Sequence, residues 1–296
     1  MEQKLNLGEN YQINRVINGC WQLSEGHSIK NDLDFDDVMR AFHMLAERGF
    51  TTFDCGDIYT GVEEFLGKFV RELKHGSGLS PDQIQIHTKY VPDLDLLSQV
   101  DFAYTEKIID RSLKRLNREI LDMVQFHWWD YEVPGCIETA EYLVRLKEKG
   151  KIRNISVTNF DTRHLKELVD AGIPVTTTQT QYSVFDRRPE KGYLEYCKGQ
   201  GIPMLCYGTL SGGFLAERWI GKRMEEPETR SQVKYLQVIE DSLGWDGYQK
   251  LLKLLQGIAE KYQVGISQVA SKYILSQEGV GAAIIGIRTA VMWKII

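Results

Sequence analysis

Four residues in the first half of the chain, Asp54, Tyr59, Lys89 and His127, are of the types that proton donation to a reacting oxygen requires. A carbonyl that accepts a hydride must also gain a proton, because the developing alkoxide is too basic to stand alone. A phenol is a poor acid near neutrality, with an ordinary pKa of ~10. An ammonium beside it favours the phenolate and pulls that value down. A partly desolvated ammonium tends to lose its own proton, and a neighbouring carboxylate keeps it charged. Lys89 suits the first role and Asp54 the second. His127 suits a hydrogen bond to the carbonyl oxygen. Each also has a structural reading: a strand-end carboxylate, a rim aromatic, a solvated lysine, and a core histidine flanked by Phe126, Trp128 and Trp129. Only their joint placement at one rim favours chemistry.

That placement depends on the elements around them. Short β-rich runs alternate with helical stretches. Strands are expected at 15–20, 51–54, 83–90, 121–126, 152–157, 175–180, 203–207 and 282–286. Helices are expected at 36–48, 105–116 with Thr105 as N-cap, 137–149, 163–171, 190–198, 248–262 and 267–276. Eight β/α units in about 250–300 residues predict an α/β fold, a single (β/α)8 TIM barrel over 1–296. An open doubly wound sheet is disfavoured, since no strand–GxGxxG–helix unit occurs. In such a barrel the site lies at the C-terminal ends of the strands. Asp54 ends strand two, Tyr59 follows it, Lys89 ends strand three and His127 follows strand four. The stretch 211–246 reads as one long irregular loop, a candidate lid or binding segment.

Composition narrows the partners. The formal charge is -5, with 36 basic and 41 acidic residues interspersed, which argues against nucleic acid. No apolar run approaches the ~20 residues of a membrane span, and the polar first residues do not resemble a secretion signal. A soluble cytoplasmic protein acting on a small molecule is the expectation. The five cysteines (Cys20, Cys55, Cys136, Cys197, Cys206) include no CxxC pair, so neither a disulfide framework nor a metal site is expected.

The segments carrying these residues resemble the aldo-keto reductase superfamily. The run 53–59 (FDCGDIY) with 63–67 (EEFLG) is similar to the family's aspartate–tyrosine segment. The stretch 87–89 (HTK) resembles its lysine strand, and 125–127 (QFH) its histidine strand. Further on, 150–160, 179–183 and 207–215 resemble its cofactor segments. The resemblance implies NADPH-dependent reduction of a small carbonyl compound without a Rossmann fold, NADH remaining open. It implies Tyr59 as general acid with Asp54, Lys89 and His127 as partners. Thr158, Asn159 and Gln179 would bind the nicotinamide carboxamide, and Tyr207 would stack on the ring. Gly208, Leu210, Ser211, Gly212 and Gly213 would set backbone N–H groups against the pyrophosphate. Arg288 would meet the 2′-phosphate. Trp21, Trp128 and Trp129 are candidates for an aromatic substrate wall.

The sequence departs from the family after the eighth strand. The run 290–296 (AVMWKII) lacks the acid–asparagine pair expected at the adenosine end, as in a truncated or alternative terminus. Two other readings follow. One is a cofactor-sensing subunit of a larger assembly, as potassium-channel β subunits are. The other is a barrel that binds cofactor poorly. Oligomeric state is not legible.

Overall fold

The computed structural model describes residues 3–8, 10–29, 33–76, 78–223 and 226–287. The chain opens with an antiparallel hairpin, β1 (Lys4–Asn6) and β2 (Gln12–Asn14). Eight parallel strands follow: β3 (Val16–Gly19), β4 (Thr52–Asp54), β5 (Gln85–Tyr90), β6 (Leu121–Phe126), β7 (Ile152–Thr158), β8 (Val175–Gln181), β9 (Met204–Tyr207) and β10 (Val280–Gly286). They pair in chain order, and β10 closes back on β3. Helices α1 (Phe35–Glu47), α2 (Val62–Gly76), α3 (Phe102–Leu116), α4 (Cys136–Glu148), α5 (Thr162–Asp170) and α6 (Tyr193–Gln200) connect successive strands. Three more, α7 (Arg230–Ser242), α8 (Gly244–Tyr262) and α9 (Ile266–Leu275), lie between β9 and β10. This is the expected TIM barrel. Among the described residues no helix is long and apolar enough to cross a membrane.

The two-residue period of each strand sorts its side chains into two cores. Outward-facing Phe53, Ile86, Tyr90, Val124, Phe126, Ile155 and Val157 join the helix layer in one large apolar cluster. Inward-facing Ile17, Met123, Leu205, Ala282 and Ile284 fill the barrel, and Tyr11 and Ile13 from the hairpin floor it. The polar inward residues Asp54, Lys89, Gln125, Thr158 and Gln179 are thereby stacked above an apolar plug.

Several elements differ from expectation. The hairpin and α2 have no counterpart among the expected elements. Three-residue strands show too little period to read, and α2 begins with Val62, Glu63 and Glu64 straight after a turn at Gly61. Helix α3 starts three residues earlier than expected, capped by Asp101, whose carboxylate accepts from Tyr104 N at 2.7 Å. Thr105 is therefore inside the helix, its hydroxyl bonded to Asp101 O at 2.9 Å and to Tyr90 OH at 2.9 Å. The expected helix at 190–198 begins instead at Tyr193, after a short 3-10 turn, Arg188–Glu190. The 211–246 stretch is largely ordered: α7 lies within it, capped by Thr229, whose side chain accepts from Gln232 N at 3.2 Å.

Candidate active site

Strand register brings the expected residues to one rim. Asp54 pairs with His87 on β5, Lys89 with Gln125 on β6, Thr158 with Gln179 on β8, and Gln181 with Tyr207 on β9. Lys89 Nζ donates to Asp54 Oδ1 at 2.8 Å and to Cys55 O at 2.7 Å. It also lies 4.9 Å from the centre of the Tyr59 ring. Both charged side chains of this ion pair are only 6% exposed. The second carboxylate oxygen is occupied too. Gln125 Nε2 donates to Asp54 Oδ2 at 2.6 Å and Gln179 Nε2 at 2.7 Å.

The electrostatics refine the expected proton donor. Burial works to strip the proton from Lys89, but the Asp54 carboxylate, by charge and hydrogen bond, holds it above the ordinary lysine value. For Tyr59, burial is the largest influence and raises the phenol. The Lys89 charge lowers it, as expected, without overcoming burial. The net direction is therefore the reverse of the expected depression. The phenol stays protonated across the neutral range, and Lys89 reduces the cost of the phenolate once the proton has left.

His127 follows β6, half-buried, with Nδ1 3.1 Å from Thr158 O. A carbonyl only accepts, so Nδ1 carries the proton. Burial lowers the ring's pKa. In the neutral ring Nε2 is then an acceptor, so the expected donation to a substrate oxygen would need the protonated form. Trp129, 47% exposed, meets the His127 ring edge-on at 4.6 Å and anchors its indole N–H on Pro92 O at 2.8 Å. Trp128 departs from expectation: it is 1% exposed, packs on Phe126 and donates to Val133 O at 3.1 Å. It belongs to the helix-side core, because the strand alternation carries it away from the mouth. Trp21 is half-buried and meets His27 edge-on at 4.9 Å.

The expected carboxamide contacts form a complementary set. The Tyr207 hydroxyl donates to Asn159 Oδ1 at 2.8 Å, leaving Nδ2 as the donor end of that amide. Gln179 spends its nitrogen on Asp54 and on Gln125 Oε1, at 2.7 Å, leaving its oxygen as the acceptor end. That oxygen also accepts from Thr158 Oγ1 at 3.2 Å. One donor and one acceptor match a primary carboxamide, so the nicotinamide end of the expected cofactor fits. Helix capping does not account for Thr158 and Asn159, since α5 is capped by Asp161, which accepts from His164 N at 2.9 Å.

The 208–213 segment is a partial departure. Ser211 N and Gly213 N are used inside the turn, on Gly208 O at 2.8 Å and Leu210 O at 2.9 Å. Leu210 is half-buried against the α7–α9 cluster. A Cβ on Gly208 would collide with the Tyr235 hydroxyl, and one on Gly212 would come 2.9 Å from the Tyr235 ring. The closeness these glycines allow is thus taken by α7. Arg288 and the atypical run 290–296 lie outside the described residues.

Sequence reasoning missed four residues that contact the expected ones or the segments carrying them. Gln125 gives no signal beyond its place two residues before His127. Lys234 and Tyr235 sit on the unrecognised α7. Lys234 Nζ lies 4.8 Å over the Tyr207 ring, and burial lowers its pKa. His27 Nε2 lies 2.8 Å from Ser231 Oγ, and Ile29 N donates to Glu228 O at 2.8 Å. The loop after β3 is thereby tied to α7 and the lead into it.

The Aldo/keto reductase family model matches residues 15–291. This chain belongs to that family. As a member it is an NAD(P)H-dependent oxidoreductase acting on small carbonyl compounds. It is 29% identical to aldo-keto reductase YhdN of Bacillus subtilis over 288 residues, spanning 94% of this chain and 82% of that protein. It is 32% identical to the uncharacterized oxidoreductase C28F2.05 of Schizosaccharomyces pombe over 207 residues, spanning 69% and 67%. The glycerol dehydrogenase AKR11B4 from Gluconobacter oxydans shares the fold, with a TM-score of 0.80 at 24% identity over 99% of this chain and 89% of that one.

Proposed function

We propose that this aldo/keto reductase converts an aldehyde or ketone to an alcohol with NADPH, and that Tyr59 is its general acid. The observation that carries the proposal is the buried Lys89, 2.8 Å from Asp54 and 4.9 Å from the Tyr59 ring. The cofactor supplies the hydride. Asn159 Nδ2 and Gln179 Oε1 bind its carboxamide, with Thr158 supporting Gln179, and the Tyr207 ring offers a stacking face. Gly208, Leu210 and Gly212 remain the backbone donors for the pyrophosphate. Arg288 is the contact on which the preference for NADPH rests.

Tyr59 releases its proton to the oxygen of the reduced carbonyl. The Lys89 charge stabilises the phenolate left behind, and Asp54 keeps Lys89 charged throughout. His127, its Nδ1–H held on Thr158 O, donates to the reacting oxygen from Nε2 when the ring is protonated. Trp21 and Trp129 supply apolar walls, which suits a substrate with an apolar body. A cytoplasmic location agrees with five cysteines that are all free of disulfides.

The test is aldehyde-dependent oxidation of NADPH, with NADH in parallel, across aromatic and aliphatic aldehydes. Turnover with aromatic aldehydes and a lower KM for NADPH than for NADH is the expected result. No oxidation of either cofactor with any aldehyde would overturn the proposal.

A further inference from the structure

Gln125 is fully buried on β6, and the chemistry above gives it no role. Three hydrogen bonds tie it into a closed knot: Gln125 Nε2 to Asp54 Oδ2 at 2.6 Å, Gln179 Nε2 to the same oxygen at 2.7 Å, and Gln179 Nε2 to Gln125 Oε1 at 2.7 Å. An ionised carboxylate only accepts, so both amides must turn nitrogen toward Asp54. Both N–H bonds of Gln179 are thereby committed. Its oxygen accepts from Thr158 Oγ1 at 3.2 Å and, with two lone pairs, has room for one further donor.

We propose that Gln125 is a positioning residue that locks the Gln179 amide, so that only its oxygen meets the cofactor, and thereby makes the site selective for a ring bearing a primary carboxamide. The inference rests on the reading of Gln179 as a carboxamide contact. A carboxamide presents N–H to Gln179 Oε1. A methyl ketone in the same position presents only a methyl group and leaves that oxygen unpaired. Sites built around a substrate donor reject analogues lacking it. Without the Gln125 oxygen, Gln179 keeps one bond to Asp54, and its amide turns more freely to suit either group.

The test is calorimetric binding of NADPH and of its 3-acetylpyridine analogue, in which a methyl ketone replaces the carboxamide. The wild type should bind NADPH more tightly by on the order of tenfold. In Gln125→Met the two Kd values should fall within about threefold of each other. Gln125→Glu keeps an acceptor for Gln179, so the wild-type ratio should persist while kcat falls, because a second carboxyl group now adjoins Asp54. If Gln125→Met does not fold, this variant carries the test, and loss of the ratio in it contradicts the proposal. Equal affinities in the wild type, or a wild-type ratio in Gln125→Met, also overturn it. Gln179→Met separates the two levels. An unchanged ratio there removes the carboxamide reading itself. A collapsed ratio there with a wild-type ratio in Gln125→Met removes only the role of Gln125.

Discussion

At the scale of single residues, the site is an ion pair buried beneath a phenol. Removing one partner of a buried pair leaves an uncompensated charge and costs about 3–5 kcal/mol. Lys89→Met should therefore lose that much stability as well as turnover. Adding Asp54→Asn should recover part of the stability and none of the turnover. Urea unfolding of the two variants checks this, and a double variant no more stable than Lys89→Met would contradict it. The residue types at 54, 59, 89 and 127 were legible because each lies at or just past a strand end. The direction of the Tyr59 shift was not, because burial cannot be read from residue types. Nor could the sequence show that Gln179 spends its nitrogen on Asp54, since that depends on how far Gln125 reaches across the barrel.

At the scale of elements, the eight barrel strands were legible and their covers less so. Alternation such as that of 83–90 marks β5 without ambiguity. Helix α7 was hidden because its N-terminal flank is polar and it buries only two apolar side chains, Tyr235 and Ile239. Helix α2 matters most for Tyr59, which stands just before it. Glu63 on this helix accepts from Thr88 Oγ1 of β5 at 2.6 Å, fixing it to the lysine strand. Gly67 on the next turn lets α2 approach the end of α3 so closely that a Cβ there would collide with Arg115 O. Backbone cannot move aside as a side-chain tip can. Gly67→Ala should cost about 2–3 kcal/mol, measured by denaturant unfolding. A change below about 0.5 kcal/mol, ordinary for a surface position, would mean that the two helices separate easily.

At the scale of the whole molecule, the barrel is an apolar plug under a polar mouth, floored by a hairpin that the sequence did not reveal. His87 sits between the two layers, fully buried, with Nε2 3.0 Å from Tyr11 OH. Burial pushes its pKa down from 6.5 to about 4. Its neutral form is the folded form, so its contribution to stability is complete above the unfolded value and is lost as pH falls toward 4. Between pH 7.5 and 5 this amounts to roughly 2 kcal/mol. His87→Leu should shrink the acid-side loss by about that amount, whatever it does at pH 7.5. Parallel slopes for wild type and variant would show that His87 does not carry the effect. Asp57, buried beside Glu63 and raised to about 8, titrates in both proteins and cancels in the comparison.

Reduction at this site depends on Tyr59 as the proton donor. The direct measurement is the single-turnover rate of pre-bound NADPH with an aromatic aldehyde, in the wild type and in Tyr59→Phe. Removing a general acid should slow the chemical step by about 10²–10⁴-fold, with the Kd for NADPH unchanged. Equal rates in the two proteins would contradict it.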